Sequence, residues 1–251
     1  MSTQFLGTLG SSARSFNGFN VNAGDPTDVF RFSIGSTRNI NLSLNNITAG
    51  DDADLTLFRD VNGNGILDAT DRAFGFVTNS RKGSNVDDSI NVRANAGTYF
   101  AEVQRFAPGS NGAVFYDLDL SATTPTSTFD YSNLLPKEFV VGNLTSDVTR
   151  FGNINNNNTA DVYSFSLGFF KGVNISLTGL SADADIRLIR DSNNNQIVDP
   201  GEEVARSIRG GNTSELISNI TLSGNYYLQV NQFSGSTPYT VTFDQFNTPF
   251  A

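Results

Sequence analysis

The chain contains no cysteine, no histidine and no tryptophan, and its one methionine is the first residue. Without cysteine there are no disulfides, no thiolate nucleophile and no cysteine-ligated zinc. Stability in an oxidising space must then come from packing or metal. Without histidine the usual proton shuttle and the commonest transition-metal ligand are missing. A Ser-His-Asp triad, a Cys-His pair and a His-ligated zinc are therefore excluded. No run of about 18 apolar residues exists, so no membrane insertion is expected. The N-terminal stretch MSTQFLGTLGSSARSFNG has no basic segment followed by an apolar one, so it does not read as a secretory signal. On that basis the protein is cytosolic, has lost a leader, or is exported by a route that leaves its N-terminus uncut.

What is present is acidic and rich in strand and turn formers. The net charge is −9 and the pI about 4.4, which repels nucleic acid and anionic lipid and favours divalent cations or basic surfaces as partners. Twenty-one Phe and 7 Tyr join Val, Ile and Thr as strand formers, while Asn, Ser, Gly and Asp supply turns. The expected class is all-β.

The chain repeats itself. Asp28-Val-Phe-Arg-Phe-Ser33 recurs as Asp161-Val-Tyr-Ser-Phe-Ser166, and Asn39-Ile-Asn-Leu-Ser-Leu44 as Gly172-Val-Asn-Ile-Ser-Leu177. Asp52-Ala-Asp-Leu-Thr-Leu-Phe-Arg-Asp60 matches Asp183-Ala-Asp-Ile-Arg-Leu-Ile-Arg-Asp191, and Gly97-Thr-Tyr-Phe100 matches Gly224-Asn-Tyr-Tyr227. Order is kept while the spacing drifts by a few residues, as in a duplicated domain with small loop deletions. The expected organisation is domain one at 2–121, a Thr/Ser/Pro-rich linker at 122–138, and domain two at 139–247.

Within each copy apolar residues alternate with period two, as in Phe30/Phe32/Ile34, Ile40/Leu42/Leu44, Tyr163/Phe165/Leu167 and Tyr239/Val241/Phe243. One-sided burial of short antiparallel strands implies two sheets packed face to face, so two tandem antiparallel β-sandwiches are expected, with no sustained helix.

Two segments carry metal-ligand spacing. Asp60, Asn62 and Asn64 stand at positions 1, 3 and 5 of a twelve-residue loop; Gly65 is at 6, Ile66 offers its carbonyl at 7, Leu67 anchors the loop, and Asp68 and Asp71 are at 9 and 12. The second copy places Asp191, Asn193, Asn195, Ile197, Asp199 and Glu202 at the same positions, with Gln196 in place of the glycine. Position 6 favours a left-handed backbone, so Gln196 should cost about 1 kcal/mol and make this the weaker site. Ca²⁺ takes six to eight hard oxygens, and alternate residues of a tight loop direct them inward. The plain alternative is a pair of Asn/Asp/Gly hairpin turns without metal. With three carboxylates per loop, affinity should fall in the extracellular class, Kd of about 10⁻⁴–10⁻³ M. No helices are expected beside either loop. Asp52, Asp54, Asp183 and Asp185 are either further ligands of these shells or strand-entry residues.

Asp161-Val-Tyr-Ser-Phe-Ser, the Ala-Asp-Ile-Arg-Leu strand, the Asp loop and Gly224-Asn-Tyr-Tyr-Leu-Gln-Val230 together resemble bacterial pre-peptidase C-terminal domains. The loops Asp60–Asp71 and Asp191–Glu202 are similar to dockerin-type calcium loops. The resemblance implies a jelly-roll-like sandwich of the kind appended to secreted proteases and other exoenzymes. There such domains assist secretion, adhesion or binding to insoluble polymers such as collagen or chitin. No catalytic domain is expected within these two copies. A cysteine-free, acidic chain with calcium loops also resembles substrates of type I secretion.

The expectation is a secreted, non-enzymatic, calcium-binding module attached to an extracellular polymer or the cell envelope. Phe16-Asn-Gly-Phe19 and Phe169-Phe170 are candidate contact residues, with core or edge packing as the alternative. The other class is a structural subunit that binds copies of itself, its uncharged N-terminal segment Thr3–Leu9 completing a neighbour's sheet edge.

Overall fold

The structure, a computed structural model, describes residues 2–109 and 112–249. The chain forms two compact units divided between Pro125 and Thr126. The first unit contains β1 (Ser2–Thr8), β2 (Arg14–Asn22), β3 (Thr27–Ile34), β4 (Arg38–Asn45), β5 (Asp52–Arg59), α1 (Ala69–Phe74), β6 (Phe76–Ser80), β7 (Asp88–Ala94), β8 (Gly97–Ala107) and β9 (Ala113–Thr123). The second contains β10 (Phe139–Asn143), β11 (Val148–Ile154), β12 (Ala160–Leu167), β13 (Lys171–Thr178), β14 (Ala184–Ile189), β15 (Glu203–Ser207), β16 (Glu215–Ile220), β17 (Gly224–Gln232) and β18 (Thr237–Asn247).

Each unit is a sandwich of a five-stranded and a four-stranded sheet. The first has orders β1-β3-β8-β5-β6 and β2-β9-β4-β7; the second repeats them strand for strand as β10-β12-β17-β14-β15 and β11-β18-β13-β16. The duplication therefore extends to topology. It extends even to a shared irregularity, since the first strand of each unit shifts register at one place, between Phe5 and Gly7 and between Val140 and Gly142. Both glycines sit there at positive φ, +71° and +84°.

The alternating residues do face inward. Phe30, Phe32, Ile40, Leu42 and Leu44 line the first core, and Tyr163, Phe165, Val173, Ile175, Leu177 and Phe243 the second. Phe16 and Phe19 pack against the first core, so they are not surface contacts. Phe169 and Phe170 are exposed. Each core also buries a tyrosine hydroxyl that donates to an aspartate: Tyr116 to Asp28 at 2.6 Å, and Tyr239 to Asp161.

Four expectations need correction. The N-terminal segment is already paired: β1 runs parallel to β3 in its own sheet, and β10 runs parallel to β12, so the sandwiches are not wholly antiparallel. Its N–H and C=O groups are then partly used within the unit, while β1 remains the edge strand of its sheet. Secondly, β9 continues to Thr123, and most of the expected linker is packed on the second unit. Leu134 and Leu135 are fully buried there. The Arg187 guanidinium and the Gln229 amide both donate to the Ser132 carbonyl, and Gln229 also donates to the Leu134 carbonyl at 2.8 Å. Thirdly, burial of the five-stranded sheets is not one-sided. Val29, Phe58, Leu67 and Phe100 form a separate small cluster, as do Leu135, Val162, Ile189 and Tyr227 with Val198 against them. Lastly, the short helix α1 is present. Among the described residues no helix is long and apolar enough to cross a membrane.

Candidate metal centres

Both twelve-residue loops leave the end of a central strand, β5 or β14, and both are seated by one apolar residue. Leu67, at position 8, joins Val29, Phe58 and Phe100, and Val198 occupies the same place against Val162, Ile189 and Tyr227. The expected anchor is thus real, but it reaches the outer cluster of the five-stranded sheet instead of the main core.

The side chains at the ligand positions converge. In the first loop the Asp60 carboxylate accepts from the N–H of Gly63 (2.7 Å) and Gly65 (2.9 Å). The Asn62 amide oxygen accepts from Asn64 N–H (3.0 Å) and that of Asn64 from Ile66 N–H (2.8 Å). The amide nitrogens of Asn62 and Asn64 both donate to Asp68 Oδ2, at 2.9 and 2.7 Å. Asp71 accepts from Val61 N–H at 2.9 Å and from Asp68 N–H at 3.3 Å. The second loop repeats this set except at position 1, where the carboxylate accepts from positions 5 and 6 instead of 4 and 6. Asp191 accepts from Asn195 and Gln196 N–H, Asn193 from Asn195 N–H, and Asn195 from Ile197 N–H. Asn193 and Asn195 donate to Asp199 Oδ2 at 2.8 and 2.9 Å, and Glu202 accepts from Ser192 and Asp199 N–H.

Backbone conformation agrees with the spacing. Gly65 has φ +73° and Gln196 φ +59°, so position 6 is left-handed in both loops despite the missing glycine. Position 4 is also left-handed, with Gly63 at +73° and Asn194 at +57°. The successive Asx turns and two left-handed residues are what turns alternate side chains to one side.

This donor set suits a hard cation. Positions 1, 9 and 12 are carboxylates, and positions 3 and 5 meet position 9 at one oxygen. Hydrogen bonds from Asn64 and Asn62 hold the Asp68 carboxyl below its ordinary proton affinity, so it stays anionic where the side chains meet. Among the described residues no three carboxylates stand as a metal cage by themselves. Amide and carbonyl oxygens would have to complete either shell. Ile66 and Ile197 contribute N–H groups to the turns.

The expectation of no flanking helix is overturned at the first loop. Asp68 is the N-cap of α1: its carboxylate accepts from Thr70 and Asp71 N–H, while the Asp71 side chain accepts from Asp68 N–H, a capping box. Asp68 and Asp71 thus carry a structural duty beside the proposed one. Arg72 then ties the helix to β8 through two hydrogen bonds to Glu102, 2.9 and 2.5 Å.

Asp52, Asp54, Asp183 and Asp185 do not complete these shells. Asp52 and Asp54 open β5 whereas Asp60 follows its last residue, and the six strand steps from Asp54 to Asp60 span about 20 Å. Asp185 and Asp191 are related in the same way along β14. Asp54 instead acts electrostatically on Asp88 at the start of β7, and Glu215 at the start of β16 acts on Asp185. The local repeat carried a signal for them, because Ser80-Arg-Lys-Gly83 and Ser207-Ile-Arg-Gly210 precede the two carboxylates at equal distance. Asp88 accepts from Ser80 Oγ and Lys82 N–H, and Glu215 from Ser207 Oγ and Arg209 N–H.

The model of the bacterial pre-peptidase C-terminal domain matches residues 26–105 and again residues 159–232. Among solved structures, the chain is similar to the pre-peptidase C-terminal domain of collagenase from Bacillus anthracis. That match is 20% identical, covers 48% of this chain and 93% of that one, and has a TM-score of 0.33. The CUB1-EGF-CUB2 domains of rat MASP-1 align at 8% identity over 96% of this chain and 99% of theirs, with a TM-score of 0.29. Aeromonas hydrophila PliG, a periplasmic inhibitor of g-type lysozyme, aligns at 15% identity over 43% and 98%, with a TM-score of 0.28. No curated protein matches. Two family matches, one in each half of a chain whose halves repeat the same nine strands, have one reading: this chain belongs to the bacterial pre-peptidase C-terminal domain family and carries the domain twice.

Proposed function

We propose that the chain is a secreted, non-catalytic pair of calcium-binding modules that attaches to an extracellular polymer or to the cell envelope. The observation that carries this reading is the agreement between the two loops, in which the side chains at positions 3 and 5 both meet one carboxylate oxygen at position 9. Ca²⁺ would be held by Asp60, Asn62, Asn64, Asp68, Asp71 and the Ile66 carbonyl, and by Asp191, Asn193, Asn195, Asp199, Glu202 and the Ile197 carbonyl. Sites with Kd of about 10⁻⁴–10⁻³ M fill outside the cell and not in the cytosol. The family supports the rest, since its domains are generally non-catalytic modules attached to peptidases and occur in secreted proteins. Export by a type I route, with folding completed by external calcium, is consistent with the acidic, cysteine-free composition. The exposed Phe169 would be a contact residue for a polymer.

The test is calorimetric titration with CaCl₂ together with thermal melting in chelator. At a calcium concentration ten times Kd each loop should add about 1.4 kcal/mol. The Asp60→Ala/Asp191→Ala double variant should lose that gain. Co-sedimentation with insoluble collagen, chitin and isolated envelope, with and without calcium, then reads attachment. A chain that melts identically in chelator and in millimolar calcium, or that sediments with none of these, overturns the proposal.

A further inference from the structure

The five-stranded sheet of the first unit carries a cleft of about 320 Å³, lined by Phe5, Gly7, Arg31, Phe32, Ser33 and Thr98. The irregularity in β1 builds it. Phe5 and Thr8 are three residues apart and would fall on opposite faces of a regular strand. The register shift before Gly7 sets Phe5 opposite Arg31 and Thr8 opposite Ser33, so both turn to the face that carries Arg31 and Ser33. Two cross-strand rows result. In one, the Arg31 guanidinium lies 5.4 Å from the centre of the Phe5 ring. In the other, Thr8 Oγ1 and Ser33 Oγ are 3.1 Å apart, and Thr98 of β8 pairs with Ser33 in register.

These groups are open to a ligand. Phe5 is 70% exposed, and among the described residues no carboxylate forms an ion pair with Arg31. Arg31 also lies against the first twelve-residue loop, where its guanidinium fills the space that a Cβ on Gly65 would need. Thr98 is tied to the same loop, since its carbonyl accepts from Asp60 N–H at 3.0 Å. Ring, cation and hydroxyls are thus in place before anything binds, which lowers the cost of ordering them. The second unit keeps the frame and drops the chemistry. Its first strand shifts register at the same place, but Val140 stands opposite Ser164 where Phe5 faces Arg31. Folding of the shared frame therefore does not require the aromatic–guanidinium pair.

A guanidinium with free N–H groups takes a carboxylate through two parallel hydrogen bonds. An exposed ring offers an apolar face to the C–H side of a sugar, and a row of hydroxyls both donates to and accepts from sugar hydroxyls. A uronate residue uses all three, whereas an inorganic anion would use the guanidinium alone. We infer that this cleft binds a uronate residue of an acidic polysaccharide, with its carboxylate on Arg31, its ring on Phe5 and its hydroxyls on Thr8, Ser33 and Thr98. A cleft of this volume stands at the small end of ligand sites and takes a short stretch of such a chain. The net charge of −9 opposes an acidic polymer at long range, so recognition is local, and physiological salt helps by screening charges beyond about 8 Å. The inference rests on the reading of the chain as an attachment module and names the class of polymer.

Titration of the full chain with a galacturonate tetramer tests it, in physiological salt with chelator, so that calcium does not bridge sugar and protein. The methyl ester of the tetramer is the uncharged counterpart. The acid should bind, and the ester should bind about tenfold more weakly or less still. Arg31→Ala should weaken the acid about tenfold or more, and Phe5→Ala about threefold or more. Phe151→Ala, which removes an exposed ring of the second unit, should change nothing. No binding of the acid, equal binding of acid and ester, or an Arg31→Ala variant that binds like the parent overturns the inference. Should that variant not fold, amide NMR of the wild-type chain during the same titration decides. Shifts at Arg31, Ser33 and Thr98 support the site, and unmoved signals there at saturation overturn it. Attachment is judged separately. Envelope that retains parent and Arg31→Ala equally overturns the cleft and leaves attachment standing, whereas tetramer binding by a chain that sediments with no polymer does the reverse.

Discussion

Leu134 forms an isolated antiparallel bridge with Ile197, so a short ladder ties the chain ahead of β10 to the second twelve-residue loop. On either side of that bridge Leu135 N–H donates to the Gln196 carbonyl and Val198 N–H to the Asn133 carbonyl, both at 2.8 Å. The ladder holds the one loop whose position 6 lacks glycine, and it steadies a left-handed glutamine by fixing the peptide on its C-terminal side.

Removing the buried half of this strap should therefore act on one loop only. Leu135 is fully buried among Val162, Ile189 and Tyr227, and Leu135→Ala should cost about 2–5 kcal/mol in urea unfolding of the second unit. Calcium titration should show the second loop weakened and the first unchanged.

In the first loop the left-handed residue at position 6 is Gly65, and a Cβ there would lie 2.7 Å from the Arg31 guanidinium. That group ends a flexible side chain and can move, which leaves the backbone strain as the main penalty. Gly65→Ala should destabilise the first unit by about 1 kcal/mol. The same loss should persist when Arg31→Ala is added, which denaturation of the single and double variants measures.

Asp71 and Asn62 should separate folding from metal binding. Asp71 is buried and shares the capping box of α1, so Asp71→Ala should lower stability by about 1 kcal/mol even in chelator. Asn62 is exposed, and Asn62→Ala should be neutral in chelator while weakening calcium. Melting curves with and without calcium give both numbers.

Asp119 provides a pH test away from either set of proposed ligands. Burial pushes its carboxyl above the ordinary value of 3.8, against hydrogen bonds from Ser15 and Asn45, and the charges of Asp117 and Asp87 push the same way. A raised folded value means that its contribution is fully present below about pH 3.8 and is lost as pH rises through the folded value. Asp119→Asn should consequently be more stable than the parent at pH 8 and equal to it at pH 3.5, as read by urea midpoints at the two values.

The features that could be read along the chain are those written in neighbouring residues. Period-two alternation marked Phe30/Phe32/Ile34 and their counterparts as inward-facing, because strand geometry makes alternate residues share a face. The 1-3-5-9-12 oxygens and the left-handed sixth position were equally local, since one tight turn sets where its own side chains point. What folding in three dimensions added concerns partners distant in sequence. Leu134 and Leu135 lie in a stretch whose Thr, Ser and Pro suggest a free connector, and Leu135 is buried only because the outer cluster of Val162, Ile189 and Tyr227 receives it. The charge of Asp54 reaches Asp88, and that of Glu215 reaches Asp185, only once two different sheets have closed on each other. Such meetings depend on strand register and sheet packing, which are collective properties of the folded unit and leave no periodic trace in the chain.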